Sequence, residues 1–251
     1  MTADQIAYMD IAAKAAVAAA GDYKQRLLAA MDIRPGHVVV DIGCGPGIDL
    51  RSLLAAGAEV VGVDRDPAMV AEARRRAPGA DVRRGDAHAL PVADASADRA
   101  RTDRVLQHLA QPDAVLAEIF RALRPGGVVG LAEPDWDTLT VAADDVETSR
   151  GFARFTAGRV RNPTIGRELA RMTVRAGFEL RSVEAVPVVF RDFEIADRIL
   201  GLSRNSARAV EAAQLREDVA TSWLSGLADP RDPFLASFLC YLVTAERPAR
   251  G

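Results

Sequence analysis

The sequence is poor in several kinds of residue that mark particular protein classes. Cys44 and Cys240 are its only cysteines, too few for a disulfide framework, so we predict a reducing, cytoplasmic compartment. No apolar run approaches the roughly 18 residues that a membrane helix needs, and residues 1–21 lack the basic start of a signal peptide. We therefore predict no membrane segment. Three histidines and two distant cysteines show no metal-ligand spacing, so we also predict no metal.

Lysine is almost missing, and no stretch is strongly basic. Lysine occurs only at Lys14 and Lys24, so nearly all of the 32 basic residues are arginines, and 35 acidic residues leave a net charge of −3. The densest basic run, residues 74–76 and 83–84, is typical of a solvated helix end rather than of a phosphate-binding surface. We therefore predict no nucleic-acid partner.

What is present is an ordinary globular composition with a regular alternation of elements. Hydrophobic residues make up 49% of the 251 residues, which suits a domain with a large core. Residues 5–31 are predicted to be helical, with an interruption at Gly21. Strands are predicted from Val38 and at 59–64, 80–84, 98–102 and 128–133. Further helices are predicted at 48–56, 67–77 and 111–123. This alternation predicts an α/β fold with a doubly wound sheet.

The alternation breaks after Pro134. Polar helical stretches follow, strand-like segments recur at 178–190 and 234–246, and the sequence between the latter two is helical. We predict a single domain over residues 1–251. Its predicted parts are N-terminal helices forming a lid at 1–33, a cofactor-binding core at 34–134, a helical cap insertion at 135–177, and final strands at 178–251 with a helical insertion at 194–226.

The turn after the first strand carries the chemistry. It reads DIGCGPG at residues 41–47, and glycines there let the backbone turn sharply and approach a ligand closely. Asp64 ends the next strand, where a carboxylate accepts hydrogen bonds from a ribose diol. Together they predict an adenosine cofactor at the carboxyl edge of the sheet. The alternative is a structural turn with a surface aspartate.

Two classes of adenosine cofactor have to be distinguished. A dinucleotide fingerprint spaces its glycines G-x-G-x-x-G so that a helix N-terminus faces the pyrophosphate, whereas this turn is G-x-G-x-G. Asp41 would repel a pyrophosphate, while a cationic amino-acid sulfonium has the opposite preference. Spacing and charge therefore favour S-adenosylmethionine over NAD.

Four segments resemble a known family. They are VVVDIGCGPG, VVGVDRDPAM, GDAHALPVADASAD and VLQHLAQPDAVLAEIFRALRPGGVVGLAEP. Together they resemble the class I S-adenosylmethionine-dependent methyltransferases, above all the group that includes ubiquinone/menaquinone C-methyltransferases and many natural-product methyltransferases of secondary metabolism. RAGF at 175–178 and FLCYLVTAERP at 238–248 resemble the family's last two strands. The resemblance implies a Rossmann-like, seven-stranded sheet whose last strand is antiparallel.

The resemblance also implies cofactor contacts at the matching positions. They are Asp41, Gly43, Cys44, Gly45 and Gly47 under the methionine part, Asp64 at the ribose, Arg65 and Met69 beside the adenine, Asp86 and Ala87 at its amino edge, and Thr102 and Asp103 beside the sulfonium. Arg26, in the helix before the first strand, would pair with the cofactor carboxylate. Its alternative role is that of an ordinary helix-surface arginine.

The fourth strand departs from the apolar pattern of the family. It reads ADRARTDR at residues 97–104, and burying unpaired arginines is costly. We therefore expect Arg99, Arg101 and Arg104 to be paired, to snorkel or to face the cleft. In the cleft, Arg104 would meet an anionic group of the acceptor.

Catalysis and acceptor binding are assigned to residues near the ends of the fourth and fifth strands. His108 is the candidate general base, with Gln107 as a companion, because histidine is suited to removing a proton from an oxygen or nitrogen acceptor. The alternative for His108 is helix capping or packing. Glu133 and Trp136 are expected to face the acceptor. The alternative for Trp136 is a core anchor beneath the insertion, and Tyr8 belongs to the predicted lid.

These observations predict an enzyme that moves a methyl group from S-adenosylmethionine to oxygen, nitrogen or carbon of a small, cyclic or aromatic metabolite. The transfer is an in-line displacement that releases S-adenosylhomocysteine. The alternatives are a cofactor-binding protein, a non-methylating enzyme of the same fold such as a cyclase, a NAD-dependent oxidoreductase and an RNA methyltransferase. We further hypothesise a homodimer.

Overall fold

A computed structural model describes residues 23–249 of the chain. Its helices are α1 (Tyr23–Ala30), α2 (Leu50–Ala55), α3 (Pro67–Arg76), α4 (Pro112–Ala122), α5 (Val146–Ala157), α6 (Ile165–Arg175), α7 (Phe193–Leu200), α8 (Leu202–Glu211) and α9 (Glu217–Leu227). Its strands are β1 (Val38–Ile42), β2 (Glu59–Asp64), β3 (Asp81–Arg84), β4 (Ala97–Asp103), β5 (Leu123–Val141), β6 (Glu179–Phe190) and β7 (Ala236–Glu246). A single 3₁₀ turn, Leu106–His108, follows β4. Residues 1–22 of the predicted lid, with Tyr8, lie outside the described residues, whereas α1 falls within the predicted range 1–33.

One seven-stranded sheet organises the described residues, with the strand order β3-β2-β1-β4-β5-β7-β6. The neighbouring strands from β3 to β5 are parallel, and β7 runs antiparallel to both β5 and β6. This confirms the predicted Rossmann-like α/β fold with an antiparallel last strand. The strand order reverses between β1 and β4, where Ile42 lies beside Thr102. Ligands of such sheets bind in the crevice at this point.

Helices cover both faces of the sheet because its central strands are apolar on both sides. Val39 packs with α2 and α3, while its neighbour Val40 packs with α4 and α6, since successive side chains of a strand point to opposite faces. A further core cluster joins α1, β6 and β7 to α5, α7, α8 and α9. We call these last four helices the cap. Within the region 135–177, therefore, α5 belongs to the cap, whereas α6 packs on the sheet.

Strand β5 is longer than the predicted strand at 128–133 and reaches Val141. The register shifts between Asp135 and Thr140, after which Thr140 and Val141 pair with the start of β7. Leu139 and Val141 are buried in the cluster under the cap. After the shift, buried Leu139 and Val141 flank exposed Thr140, an alternation that suits a strand with one buried face.

The arginines of β4 are paired, as the cost of burying them requires. Arg99 donates hydrogen bonds to the backbone carbonyls of Met31 and Asp32, at 2.5 and 2.9 Å, and so joins β4 to the chain after α1. The Arg101 side chain is 2% exposed. Its guanidinium lies 3.6, 3.1 and 3.4 Å from carboxylate oxygens of Asp41, Asp49 and Asp103. The departure from the family pattern is thus a buried charge cluster at the carboxyl end of β4.

Replacing Arg101 by leucine would leave these three carboxylates without their common partner. We expect Arg101→Leu to lower the free energy of unfolding by about 3–5 kcal/mol, the usual cost of removing one member of a buried ion pair. Urea titration near neutral pH measures the change. Arg216→Leu, at an exposed pair with Asp218, is the control and should cost less than about 1 kcal/mol. Equal losses in the two variants would contradict the expectation.

Gly166, in the first turn of α6, lies against the backbone of β5. A Cβ there would lie 2.7 Å from the carbonyl oxygen of Glu133, whereas a Cβ at Gly151 of α5 would meet nothing within 4 Å. We expect Gly166→Ala to lower the free energy of unfolding by about 1–3 kcal/mol, because the helix must shift. Gly151→Ala should raise it by about 0.5–1 kcal/mol. Urea unfolding of both variants tests this, and changes of the same sign would refute it.

Candidate active site

A cavity of about 500 Å³ opens at the carboxyl edge of the sheet. Its wall is formed by α1, the loop after β1, the end of β4, the middle of β5, the turn Leu106–His108, β7, and the cap helices α5, α7 and α8. We call it the central cavity. It lies at the reversal of strand order between β1 and β4, where this class of sheet binds its ligands.

The glycine loop, residues 43–47, forms one side of the central cavity. Gly43, Gly45 and Gly47 have φ values of 69°, 52° and 79°, a left-handed conformation that L side chains rarely adopt. A Cβ on Gly43 would also lie 2.5 Å from Cγ2 of Val105. Burial raises the pKa of the Cys44 thiol above its ordinary value, so this thiol is protonated at neutral pH.

Asp64 is attached to the glycine loop at the end of β2. Its Oδ2 accepts the backbone N–H of Gly45, and its Oδ1 accepts that of Asp66, both at 2.9 Å. An ionised carboxylate has about four acceptor positions, so two hydrogen bonds leave capacity for a ligand. The structure therefore brings the predicted ribose-binding acid to the predicted loop.

The residues predicted at the adenine lie at the neighbouring strand ends and outside the wall of the central cavity. Arg65 is exposed and Met69 is buried in α3. Asp86 follows β3, and its carboxylate accepts hydrogen bonds from the backbone N–H and the Nδ1 of His88 at 2.9 and 2.7 Å. These hydrogen bonds lower the pKa of Asp86. Ala87, next to it, is half-buried.

A network of charges forms another part of the wall of the central cavity. The Lys24 ammonium lies 2.7 Å from Asp49 and 3.2 Å from Asp103. Asp103 also accepts hydrogen bonds from the Tyr23 hydroxyl at 3.1 Å and from Arg104 Nε at 3.2 Å. Burial alone would raise the pKa of Asp103, but the positive charges around it hold that pKa below its ordinary value. Asp103 is therefore ionised at neutral pH.

Asp41 is the least compensated carboxylate of this network. It is buried, and its nearest cation is the Arg101 guanidinium at 3.6 Å. Burial raises the pKa of Asp41 to about 6, against the opposing effect of Arg101. Because Asp41 contributes to the wall of the central cavity, a cationic ligand group there would favour its ionised form.

The structure does not bring Arg26 to the central cavity. Arg26 forms an ion pair with Glu184 of β6, and its side chain is 49% exposed. Lys24 lies in the wall instead, because two positions along a helix turn the side chain by about 200°. Lys24 and Asp49 are functional candidates that the sequence reading missed. The available signal was an acid two residues after the glycine loop.

Glu133 does not face an acceptor either. It is completely buried, and its carboxylate accepts the backbone N–H groups of Val105, Leu106 and Gln107 at 2.7, 2.6 and 3.3 Å. Burial raises the pKa of Glu133 to about 8, while these three hydrogen bonds act in the opposite direction. Glu133 thus holds the turn Leu106–His108 in place from behind the wall.

Four of the predicted acceptor-side residues do line the central cavity, namely Arg104, Gln107, His108 and Trp136. Trp136 Nε1 donates to Gln107 Oε1 at 2.8 Å, and the Trp136 ring stacks on Phe238 with centroids 5.1 Å apart. His108 is also part of the wall. Burial, followed by the charges of Arg104 and Arg65, lowers the pKa of His108. This histidine is therefore neutral at neutral pH, the form that accepts a proton.

Other predicted features are placed as follows. Thr102 is fully buried, and its hydroxyl has no hydrogen-bond partner among residues 23–249. Arg104 lines the central cavity with a backbone φ of 58°. Within the described part of the chain, no group of three or more histidine, cysteine or acidic residues could hold a metal ion. No helix in that part is long and apolar enough to cross a membrane.

Comparisons with known proteins agree on one family. A family model described as a methyltransferase domain matches residues 40–131. The chain is 46% identical over 250 residues to an uncharacterised 37.1 kDa protein of transposon TN4556 from Streptomyces fradiae, over 97% of this chain and 71% of that protein. It is 37% identical over 117 residues to a demethylmenaquinone methyltransferase from Beutenbergia cavernae. That match covers 45% of this chain and 49% of the enzyme, about half the length of this curated relative.

A solved structure shares the fold. It is that of a candidate methyltransferase from Bacillus halodurans C-125, with a TM-score of 0.66 and 17% identity over 90% of this chain and 98% of that chain. The residues that the family model matches begin in β1 and end in β5, so they include the glycine loop, Asp64 and β4. The chain belongs to the class I S-adenosylmethionine-dependent methyltransferases, a family of enzymes.

Proposed function

We propose that this chain transfers a methyl group from S-adenosylmethionine to a nucleophilic atom of a small molecule bound under the cap. The observation that carries the proposal is the composition of the central cavity, whose wall joins the glycine loop and Asp41 to Gln107 and His108. A cofactor-binding loop and polar groups for an acceptor thus share one space. The cap over that space favours a small molecule over a nucleic acid.

The residues in the wall fit the amino-acid part of S-adenosylmethionine. Asp41 and Asp49 offer carboxylates to its ammonium group, and Lys24 offers an ammonium group to its carboxylate. We therefore assign to Lys24, instead of Arg26, the role of pairing with the cofactor carboxylate. A pyrophosphate would meet two carboxylates in this place, which disfavours a dinucleotide.

The adenosine part would extend from the glycine loop across the ends of β2 and β3. Asp64 would accept hydrogen bonds from both ribose hydroxyls with the acceptor positions that its two backbone donors leave open. Arg65 and Met69 would flank the adenine ring. Asp86 and Ala87 would meet its amino edge.

The chain's own residues position the acceptor and remove its proton. When bound, S-adenosylmethionine supplies an electrophilic methyl group on a cationic sulfur. Gln107, fixed by its hydrogen bond from Trp136, would orient the acceptor for in-line attack. His108, neutral because its pKa is lowered, would accept the proton of an oxygen or nitrogen acceptor. Glu133 is a positioning residue, because it holds the turn that carries both side chains.

A non-methylating reaction of the same fold, such as cyclisation, is the alternative that product analysis separates. Methyl transfer increases the acceptor mass by one methylene unit and releases S-adenosylhomocysteine. A product of unchanged mass would favour the alternative.

The homodimer stays a prediction.

Calorimetric titration with S-adenosylhomocysteine, with NAD in parallel, tests the cofactor class. We expect S-adenosylhomocysteine to bind and NAD not to bind. Asp64→Ala should weaken that binding at least about tenfold, because charge-assisted hydrogen bonds to the ribose are lost. Asp81→Ala, at the amino end of β3 and in an exposed pair with Arg83, is the matched control. Normal affinity in a folded Asp64→Ala variant, or binding of NAD instead, would disprove the assignment.

The raised pKa of Asp41, about 6, predicts a pH dependence of cofactor binding. Above this pH the carboxylate is ionised and attracts the ligand ammonium group. Below it the proton must first leave, so affinity for S-adenosylhomocysteine should fall about tenfold per pH unit. Titrations between about pH 5 and pH 8 measure the slope. Asp41→Asn should bind weakly at all pH values with a flat profile, and a flat profile in the unmodified chain would count against this role.

A further inference from the structure

We infer that the acceptor carries an anionic group, a carboxylate or a phosphate monoester, and that Arg159, Arg204 and Arg208 bind this group. The inference rests on the proposed function, because it names the class of acceptor for the same cavity. All three arginines lie in the wall of the central cavity. None of them was singled out by the sequence reading.

The three arginines stand on two elements of the cap that are joined to each other. Arg204 and Arg208 lie on α8, one helical turn apart, and therefore on the same face. Arg159 follows the end of α5. Buried Asn205 donates hydrogen bonds to the Leu200 carbonyl at 3.0 Å and to Thr156 Oγ1 of α5 at 3.5 Å. This contact holds α8 against the end of α5, so the arginines share one part of the cavity wall.

The lower part of the wall is electrically balanced without them. Three carboxylates, those of Asp41, Asp49 and Asp103, lie among three cations, those of Lys24, Arg101 and Arg104. These six groups contact one another, so no charge among them is left over for an acceptor. The cap adds only positive charge to the same wall. The surplus of positive charge in the cavity wall therefore comes from Arg159, Arg204 and Arg208.

These arginines also differ from many other exposed arginines of the chain. Arg75, Arg150 and Arg171 each pair with a glutamate on their own helix, at 2.7, 2.7 and 3.3 Å. No ion pair among the described residues includes the three cap arginines, and the Arg159 guanidinium lies over the Phe155 ring, at 5.8 Å from its centroid. A planar guanidinium binds carboxylate and phosphate oxygens in a bidentate manner. Three such groups with no acidic partner form a site for an anion.

The remaining cavity wall suits an apolar body attached to that anion. Trp136 and Phe238 stack on each other, and Val160, the residue after Arg159, adds a further apolar side chain to the wall. An aromatic or cyclic acceptor would contact the ring surface of Trp136 while its anionic group reaches the cap. Such an acceptor also explains why Gln107 and His108, the polar groups for the reacting atom, occupy a different element from the arginines.

Matched small probes test the anion site without knowledge of the acceptor. We would titrate benzoate, phenyl phosphate, benzamide and phenol into the chain with and without saturating S-adenosylhomocysteine. At least one of the two anions should bind about tenfold or more tightly than its neutral counterpart. Binding of benzoate indicates a carboxylate acceptor, and binding of phenyl phosphate indicates a phosphate monoester.

Two double variants separate a built site from general surface charge. Arg204→Gln with Arg208→Gln should weaken anion binding at least about tenfold. Arg191→Gln with Arg198→Gln removes the same charge from exposed arginines outside the cavity wall and should leave it unchanged. Equal losses in both double variants, equal binding of anions and neutral probes, or no binding of either anion would overturn the inference. Failure of the unmodified chain to bind S-adenosylhomocysteine would instead overturn the proposed function.

Discussion

The ion pairs of the buried Arg101 guanidinium are the interaction on which the proposed cofactor site of this protein depends. It lies at the end of β4 and contacts carboxylates from the end of β1, from the start of α2 and from β4 itself. Desolvating one charge is costly, and only several well-placed opposite charges offset that cost. The cluster therefore requires that three separate segments meet at one point. That point is also where the order of the parallel strands reverses, so the same charges that join the sheet edge shape its ligand site.

The network extends from Arg101 to the helix that precedes the sheet. Lys24 and Tyr23 of α1 both contact Asp103, while Lys24 also contacts Asp49. In the lower part of the cavity wall, positive and negative charges are therefore balanced. A zwitterionic amino-acid group bound there could exchange partners with these ion pairs. The cap supplies the opposite condition, a surplus of positive charge with no acidic partner in the described residues. The balanced lower wall and the cationic cap are the separate places that we propose for a zwitterionic cofactor and an anionic acceptor in one cavity.

Sequence reasoning succeeded where the relevant pattern is local and failed where a side chain's partner is remote. The glycine spacing and the acid at the end of β2 are each contained in a few residues, and the structure brings them together through the hydrogen bond from Gly45 to Asp64. Arg26 and Glu133 look like site residues from their position in the sequence. Their partners, Glu184 and the backbone of residues 105–107, decide otherwise. Predicting those contacts needs the packing of α1 on β6 and of β5 beside the turn after β4.

By itself the sequence determined the alternation of strands and helices, the glycine loop and the family to which the chain belongs. These depend on backbone preferences and on side-chain periodicity, which act over a few neighbouring residues. Only the tertiary structure decided which face of α1 enters the site, how the polar β4 becomes a core strand, and that three cap arginines line the cavity beside His108. Arg101 and Lys24 are far apart in the sequence, and so are Arg104 and Arg204. Their shared surroundings follow from the packing of whole elements, because burial and charge pairing are settled only when those elements meet.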